Sequence, residues 1–389
     1  MKISSVSGRA ILDSRKEKTI LVSIKTNVGS FSASAPTGKS TGKHEAKTYK
    51  KSLEGDIKKL KDFSDYFSEE EFTCFDCLEK VEETLDRQIG GNTMIAFEYA
   101  VLKAIANEKG KEVWEIVRSS HDPLTKVRRP KPPFLLGNVI GGGKHSSSER
   151  KPDFQEFLLV SKSWEKLKRA KVDAGELLKK FDDKFKSKKN DENAWMTSLN
   201  EKIVLDVMYR LKNKYKIQIG LDIAASSYYK RKKYHSLNPK LDRDGEEQLG
   251  YVSNLVKNYE ILYVEDGFGE DEFEDFAKLL KKFPNRLIVG DDLTTTNLKR
   301  LEKAIEKKSI SGIIVKPNQI GSLIEVKKVC ELARENKIKI VFSHRSGETE
   351  ENILADLAFG FGADYFKCGI DGKEREAKLS RLGEIGRLK

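Results

Sequence analysis

Six ionisable side chains each follow a short apolar run in the second half of the sequence. They are Asp222, Glu265, Asp291, Lys316, His344 and Lys367. The apolar runs have the length and composition of strands, and the last four intervals between the ionisable residues are 23–28 residues. One strand, one helix and two short loops of a parallel sheet fill such an interval. Three carboxylates, two lysines and a histidine in equivalent places are candidates for metal binding and proton transfer.

The sequence pattern of the segments between these runs predicts helices, which would position the strands. Two apolar stripes of helical period are present: Leu298, Leu301, Ala304 and Ile305, and then Ile324, Val326, Val329 and Leu332. Repeated strand–helix units predict a (β/α) barrel, in which the carboxyl ends of the strands meet at one mouth. A polar residue at a strand end often only marks the entry of the chain into water. Six consecutive occurrences favour the catalytic interpretation.

Two further strands complete an eight-stranded α/β barrel. Residues 134–136 and 155–160 are strand-like, and residues 131–133 (KPP) precede them. We therefore predict a barrel domain at 129–389 and a smaller α+β domain at 1–128. In the smaller domain, residues 21–26 and 30–34 predict a hairpin, and residues 45–61 and 95–106 predict helices.

A loop rich in small residues follows the predicted hairpin. Residues 37–42 (TGKSTG) look like the end of a phosphate-binding P-loop. That motif needs a glycine five positions before Gly38, where this chain has Ala33, so we reject it. The loop is instead a candidate mobile lid that carries Ser40 to the barrel mouth.

Composition and charge argue for a protein of the cytoplasm that binds small anions. We find no apolar segment near the roughly 20 residues of a membrane span and no secretory signal. The four cysteines include one CxxC, Cys74 and Cys77, but no second Cys or His pair at zinc spacing, so a metal or redox role is the lesser alternative. The net charge of +12 arises from dispersed residues. Nucleic-acid binding is therefore not expected, whereas anionic substrates are favoured.

Several motifs together resemble the enolase family over nearly the whole chain. Matching segments are 8–15 (GRAILDSR), the Ser40 loop, 138–145 (NVIGGGKH), 155–157 (QEF), 222–226 (DIAAS), 264–266 (VED) and 290–293 (GDDL). The most specific are 316–321 (KPNQIG) and 343–349 (SHRSGET). The resemblance implies Mg²⁺-dependent, reversible dehydration of 2-phosphoglycerate to phosphoenolpyruvate in glycolysis and gluconeogenesis. It also implies a homodimer.

The same resemblance implies a role for each matching residue. Lys316 is expected to be the general base, with a pKa lowered by nearby cations, and Glu192 the general acid, with Glu156 beside it. Asp222, Glu265 and Asp291 are expected to hold one Mg²⁺, and a second Mg²⁺ arrives with substrate near Ser40. The other expected substrate contacts are Lys367 on the carboxylate, Arg345 and Ser346 on the phosphate, and His145 as a closing group. His344 and Asp292 are expected in supporting places.

Some positions depart from the family pattern. Lys39 stands where the family has a small neutral residue, and residues 190–195 read NDENAW where the family has GDEGGF. Two alternatives remain: another acid-sugar dehydratase of the superfamily, or an enolase-like protein with impaired catalysis that binds RNA or another macromolecule. The phosphate contacts expected of Arg345 and Ser346 argue against the first alternative, and the basic charge balance supports the second.

Overall fold

The chain begins with an antiparallel sheet and continues into a closed barrel. The computed structural model describes residues 1–39, 42–67, 69–120 and 130–387. The first sheet contains β1 (Ile3–Leu12), β2 (Lys18–Thr26) and β3 (Gly29–Ser34), in that order. Thr26 pairs with Gly29 across the turn between β2 and β3, which confirms the predicted hairpin. The predicted boundary between residues 128 and 129 lies outside the described residues, so the division at that point stays a prediction.

The helices of the smaller unit differ from the prediction at one end. They are α1 (Leu53–Asp62), α2 (Leu78–Leu85), α3 (Gly91–Glu108) and α4 (Val113–Ser119). The predicted start at residue 45 is wrong, because the Ser52 side chain accepts a hydrogen bond from the Gly55 N–H and caps α1 there. The preceding segment turns toward the barrel instead, and the N–H of Ala46 donates to the carbonyl of Gln319 at 2.7 Å.

The strands after residue 130 form the barrel and a small appended sheet. In chain order they are β4 (Phe134–Gly141), β5 (Glu156–Ser161), β6 (Trp195–Met196), β7 (Gln218–Asp222), β8 (Tyr229–Lys230), β9 (Lys233–Leu237), β10 (Lys240–Arg243), β11 (Tyr263–Glu265), β12 (Leu287–Gly290), β13 (Gly312–Val315), β14 (Lys339–Ser343) and β15 (Tyr365–Gly369). In the described residues the barrel order is β15-β14-β13-β12-β11-β7-β5-β4, and β15 pairs with β4 to close it. This arrangement confirms the predicted eight-stranded barrel.

Strand β5 runs opposite to the other barrel strands. It pairs antiparallel with both β4 and β7. Residues 142–155 connect β4 to β5 without an α-helix, so the chain lacks the crossover that a parallel pair requires. As a result, the first residue of β5, Glu156, lies at the mouth where the parallel strands end, directly opposite Asp222.

Helices surround the barrel and bury their apolar faces on it. They are α5 (Trp164–Phe181), α6 (Glu201–Tyr215), α7 (Gly245–Asn258), α8 (Phe273–Lys282), α9 (Leu298–Glu306), α10 (Pro317–Ile320), α11 (Leu323–Glu335), α12 (Ile353–Gly360) and α13 (Lys373–Arg387). The two predicted stripes lie on α9 and α11, where Leu301, Ala304, Val326 and Val329 are fully buried. Within the described segments, none of these helices has the length and apolar character needed to cross a membrane.

Apolar side chains fill the barrel interior below its mouth. The cluster consists of Leu136, Leu158, Val160, Tyr263, Val289, Ile314 and Val341. These residues come from six strands and are all buried, so the interior is a packed core. Polar chemistry is therefore confined to the carboxyl-terminal mouth.

Candidate active site

Three carboxylates lie at the ends of adjacent strands. Asp222 ends β7, Glu265 ends β11, and Asp291 directly follows β12. Strand β11 pairs with β7 on one side and β12 on the other, with Glu265 in register with Asp222. All three side chains are buried. The pKa of Glu265 rises to about 8, because its carboxyl is buried and faces the charge of Asp222.

Lys367 on β15 joins two of these carboxylates to the antiparallel strand. Its Nζ lies 2.8 Å from Asp222 Oδ2 and from Glu265 Oε1, and 3.2 Å from Glu156 Oε2. Burial opposes the charged form of Lys367, but the surrounding carboxylates outweigh burial and raise its pKa well above the usual value. Lys367 is therefore an ammonium ion held at the point where acidic groups from three strands converge.

Lys316 occupies the corresponding position after β13. Its Nζ forms an ion pair with Asp291 Oδ2, and the other oxygen of Asp291 accepts a hydrogen bond from Gln319 Nε2 at 2.9 Å. Burial acts to lower the pKa of Lys316, but Asp291 more than compensates and raises it. Asp291 therefore stabilises the ammonium form of Lys316, and the lowering expected from nearby metal ions stays a prediction.

Glu192 and Glu156 form a second acidic group at the mouth, together with His145 and beside Lys367. His145 Nδ1 is 3.4 Å from Glu192 Oε1 and 3.7 Å from Glu156 Oε1. Burial opposes ionisation of both His145 and Glu192, yet their mutual attraction raises the pKa of His145 and lowers that of Glu192. Burial and the charge of Glu192 raise the pKa of Glu156 well above its usual value. The surroundings therefore favour the protonated form of Glu156 and the ionised form of Glu192.

The loop that carries Glu192 is fixed by side-chain amides. Asn190 Oδ1 accepts from the backbone N–H of Glu192 at 3.0 Å and of Ala194 at 2.8 Å. Asn138 on β4 donates to Glu192 Oε2 at 2.9 Å. Arg375 on α13 donates to the carbonyl of Asp191 at 3.2 Å. The divergent sequence NDENAW therefore still presents Glu192 to the mouth, with Asn190 closing the turn.

Arg345 and Ser346 lie where the loop of the smaller unit meets the barrel. Arg345 Nη1 is 2.9 Å from Glu45 Oε2 and 3.1 Å from Asn318 Oδ1. A Cβ on Gly38 would approach Arg345 Nη2 to 1.9 Å, so a larger residue there would require the guanidinium to move. The guanidinium is thereby held by an acidic residue and covered by the loop.

Residues 37–39, the described part of the Ser40 loop, contact the barrel. Thr37 exchanges two backbone hydrogen bonds with Gly347, at 2.7 and 2.9 Å. The N–H of Lys39 donates to Ser346 Oγ at 2.9 Å, and Lys39 Nζ is 3.1 Å from Asp191 Oδ2. Ser40, a predicted substrate-binding residue, lies outside the described residues.

His344 and Asp292 occupy secondary positions around the mouth. His344 Nε2 is 3.8 Å from Glu192 Oε1, and burial lowers the pKa of His344 well below its usual value. The backbone N–H of Asp292 donates to Asp266 Oδ2 at 2.7 Å. Burial, together with Asp291, raises the pKa of Asp292 to about 7.

A cavity of about 240 Å³ connects these groups. Ten of the site residues that the sequence predicts line this cavity: His145, Glu156, Glu192, Asp222, Asp291, Lys316, His344, Arg345, Ser346 and Lys367. Glu265 does not line the cavity, because it is fully buried against Lys367. Lys39, Lys43 and Lys144 lie on the wall as well and add positive charge. Glu45, Asp266, Glu270 and Asp292 line the wall too, so the cavity brings many charges of both signs together in a small volume.

The donor atoms at this mouth suit a hard divalent cation. Among the described residues, two sets have ligand atoms within 4.8 Å of one another: His145, Glu156 and Glu192, and Asp266, Asp291 and Asp292. The expected set of Asp222, Glu265 and Asp291 is not one of them. However, the oxygens of Asp222 and Glu265 converge on the ammonium of Lys367, which shows that they can surround one positive charge. Carboxylate oxygens are the ligands that Mg²⁺ prefers.

Two residues that contact the predicted site residues or their loops could not be predicted from the sequence. Glu45 pairs with Arg345 across 300 residues of sequence, and nothing in its local pattern predicts this. Arg375 lies in the charged run KER, which is typical of an exposed helix, yet it is fully buried. Its Nη2 donates to the carbonyl of Ser346 at 2.7 Å, so it links the segment that carries Arg345 and Ser346 to the Glu192 loop.

Comparison with known proteins gives matches along nearly the whole chain. The family model described as the N-terminal domain of enolase matches residues 3–117, and the enolase C-terminal TIM barrel domain matches residues 130–388. An enolase of Pyrobaculum aerophilum is 35% identical over 403 residues, covering 98% of this chain and 94% of that protein. An enolase of Sulfurisphaera tokodaii is 36% identical over 408 residues, covering 99% and 95%. Together with the barrel and its polar mouth, these matches establish that the chain belongs to the enolase family.

Proposed function

We propose that this protein is a working enolase, a lyase that reversibly dehydrates 2-phosphoglycerate to phosphoenolpyruvate. The observation that carries the proposal is one cavity lined by both Lys316 and the Glu192–Glu156 pair. This reaction needs a base to remove a proton beside the substrate carboxylate and an acid to protonate the departing hydroxyl. Membership of the enolase family supports the same reaction.

Enolases use divalent metal ions, and we propose two Mg²⁺ per site in this chain. Asp222, Glu265 and Asp291 would hold one, and the other would arrive with substrate near Ser40. When bound, the cations supply positive charge that stabilises the dianionic enediolate. The convergence of the carboxylates of Asp222 and Glu265 on Lys367 supports this assignment.

Lys316 acts as the base in this proposal. An amine accepts a proton only when it is neutral, and Asp291 holds Lys316 in the ammonium form in this state. If Asp291 held a cation, its carboxylate would stabilise the ammonium of Lys316 less, and the pKa of Lys316 would fall. Lys367 stays charged and binds the substrate carboxylate.

Glu192 is the proposed acid, and Glu156 is the proton reservoir beside it. Burial and the charge of Glu192 raise the pKa of Glu156, and His145 lies within 3.7 Å of both carboxyl groups. A proton can thus pass to Glu192 and then to the leaving hydroxyl. Arg345 and Ser346, with Ser40 from the loop, bind the phosphate, and His344 packs beside Glu192 in support.

Two substitutions test the acid and base assignments. Lys316→Ala and Glu192→Gln are each expected to lower kcat at least about 10³-fold with 2-phosphoglycerate and Mg²⁺, measured by the ultraviolet absorbance of the enol product. Lys299→Ala removes an exposed lysine of α9 and serves as the matched control with unchanged kcat. A loss smaller than about tenfold at either site would refute that role. No turnover by the folded, Mg²⁺-loaded wild type would remove the whole proposal.

Two finer features rest on the family alone. We propose a homodimer, to be checked by light scattering, and a cytoplasmic location. The alternatives of another acid-sugar dehydratase or a binding protein gain no support beyond the sequence features already given. The assay decides against them if 2-phosphoglycerate is turned over.

A further inference from the structure

The CxxC of the smaller unit lies apart from the mouth and forms a close thiol pair. Cys74 Sγ and Cys77 Sγ are 2.9 Å apart. A disulfide requires about 2.05 Å, so the sulfurs need to approach by less than about 1 Å. Cys74 is exposed and Cys77 is half-buried. The pair is therefore both accessible and close to bonding geometry.

Neighbouring groups favour the thiolate of Cys77. Its sulfur accepts a hydrogen bond from the backbone N–H of Thr73 at 3.5 Å, and Cys77 directly precedes α2. Partial burial acts to raise the pKa of Cys77, but the hydrogen bonds from Cys74 and Thr73 outweigh burial and lower it. Burial and the contact with Cys77 raise the pKa of Cys74. The two thiols thus differ in the way that an attacking and a resolving cysteine differ.

The residues between the cysteines anchor this turn to the barrel. Phe75 is fully buried, and its ring packs edge-on against Phe361 with centroids 5.8 Å apart. Asp76 Oδ1 is 2.7 Å from Lys327 Nζ on α11. These contacts hold the turn in place, so the sulfurs stay adjacent without a rearrangement of the main chain.

We propose that Cys74 and Cys77 form a thiol–disulfide exchange site, at which a small-molecule disulfide reversibly oxidises the pair. The Cys77 thiolate attacks one sulfur of the disulfide RSSR, the S–S bond breaks, and one RS⁻ leaves and takes up a proton. The Cys74 thiol then loses its proton and attacks Cys77 Sγ, which expels the second RS⁻. The pair is oxidised by two electrons, and RSSR is reduced to two RSH.

Oxidised glutathione is the probe for this site in the full chain. After incubation and alkylation under native conditions, peptide mapping should show a bond between Cys74 and Cys77 with no retained glutathione, reversed by dithiothreitol. Cys330 and Cys368 are buried, and burial raises the pKa of each to about 12, so they should stay unmodified. Retention of two glutathione groups, or no reaction at either cysteine, would overturn the proposal.

Single substitutions separate the two steps. Cys74→Ser should trap one glutathione on Cys77, while Cys77→Ser should react at Cys74 at least about tenfold more slowly. Cys330→Ser should behave as wild type and is the control for cysteine loss. Thermal unfolding confirms that each variant is folded. Equal rates for the two single variants would overturn the assignment of Cys77 as the attacking thiol.

Discussion

At the scale of single residues, Lys367 balances the negative charge of the mouth. Its ammonium contacts Asp222, Glu265 and Glu156, which come from two neighbouring strands and the antiparallel β5. Each of these side chains is buried, so water cannot replace the lost charge. The lysine is therefore a structural cation as well as a proposed substrate ligand.

Replacing Lys367 with Met should destabilise the metal-free protein by about 3–5 kcal/mol, because it leaves buried carboxylates facing one another. Mg²⁺ should restore part of that loss, since a bound cation supplies the missing positive charge. Urea unfolding with and without Mg²⁺ measures both effects. Lys339→Met is the control: its pair with Asp364 is solvent-exposed and should be worth about 0–1 kcal/mol. A small loss at Lys367 that Mg²⁺ does not change would contradict this account.

Glu201 provides a pH-dependent test away from the mouth. It is buried at the start of α6, and burial raises its pKa to about 7 from a usual value of 4.5. Below about pH 4.5 the carboxyl is neutral in both the folded and unfolded states. As the pH rises toward 7, the unfolded state ionises first, so folding stability falls.

Glu201→Gln should therefore gain stability relative to wild type as the pH rises from 5 to 8, by about 1–3 kcal/mol. The amide oxygen can still accept the hydrogen bond from the Asp153 N–H, which Glu201 accepts at 2.7 Å. Urea unfolding at both pH values gives the difference. Glu165 is an exposed residue of α5, so the control variant Glu165→Gln should show no such change of stability with pH. An equal effect of Glu201→Gln at the two pH values would refute the burial of a neutral carboxyl.

At the scale of elements, the sequence predicts most of the barrel because strand ends carry a local signal. Six of the parallel strands are short apolar runs that lead to an ionisable residue, so Asp222 and Lys316 can be located without coordinates. The direction of β5 cannot be read this way, because an apolar run has the same composition in either direction. The partners Glu45 and Arg375 depend on tertiary contacts, which no local pattern encodes.

The loop contact between Lys39 and Asp191 couples two elements that approach the same cavity. Lys39→Ala should lower kcat/KM by about two- to tenfold, because the loop loses an ion pair next to Glu192. If Lys39 and Asp191 act only through their ion pair, adding Asp191→Asn to Lys39→Ala should lower kcat/KM little further. Steady-state kinetics of the two single variants and the double variant measure the coupling. Strictly additive losses would show that the two residues act independently.

At the scale of the whole molecule, α3 connects the smaller unit to the barrel. Glu98 on α3 accepts a hydrogen bond at 3.1 Å from the N–H of Leu323, the first residue of α11. Burial and the nearby Glu82 raise the pKa of Glu98 well above its usual value. A buried carboxyl group whose pKa is raised therefore accepts the first N–H of a barrel helix from the other unit.

Glu98→Gln should leave stability at pH 7 unchanged or slightly higher, because an amide reproduces both the acceptor and the donor of a protonated carboxyl. Glu98→Ala should cost about 1–3 kcal/mol more than Glu98→Gln, since it leaves the Leu323 N–H without its partner. Calorimetry gives both values. Equal stability of the Ala and Gln variants would show that the hydrogen bond between Glu98 and the Leu323 N–H does not contribute to stability.

Closure of the barrel by β15 against β4 has a consequence for synthesis on the ribosome. Strand β4 emerges more than 200 residues before its partner Tyr365–Gly369, so one of its edges has no permanent neighbour for most of translation. At about 5–20 residues per second, this exposure lasts on the order of ten seconds or more. Open strand edges recruit other chains, and chaperones that shield the nascent polypeptide should therefore matter most before β15 has emerged.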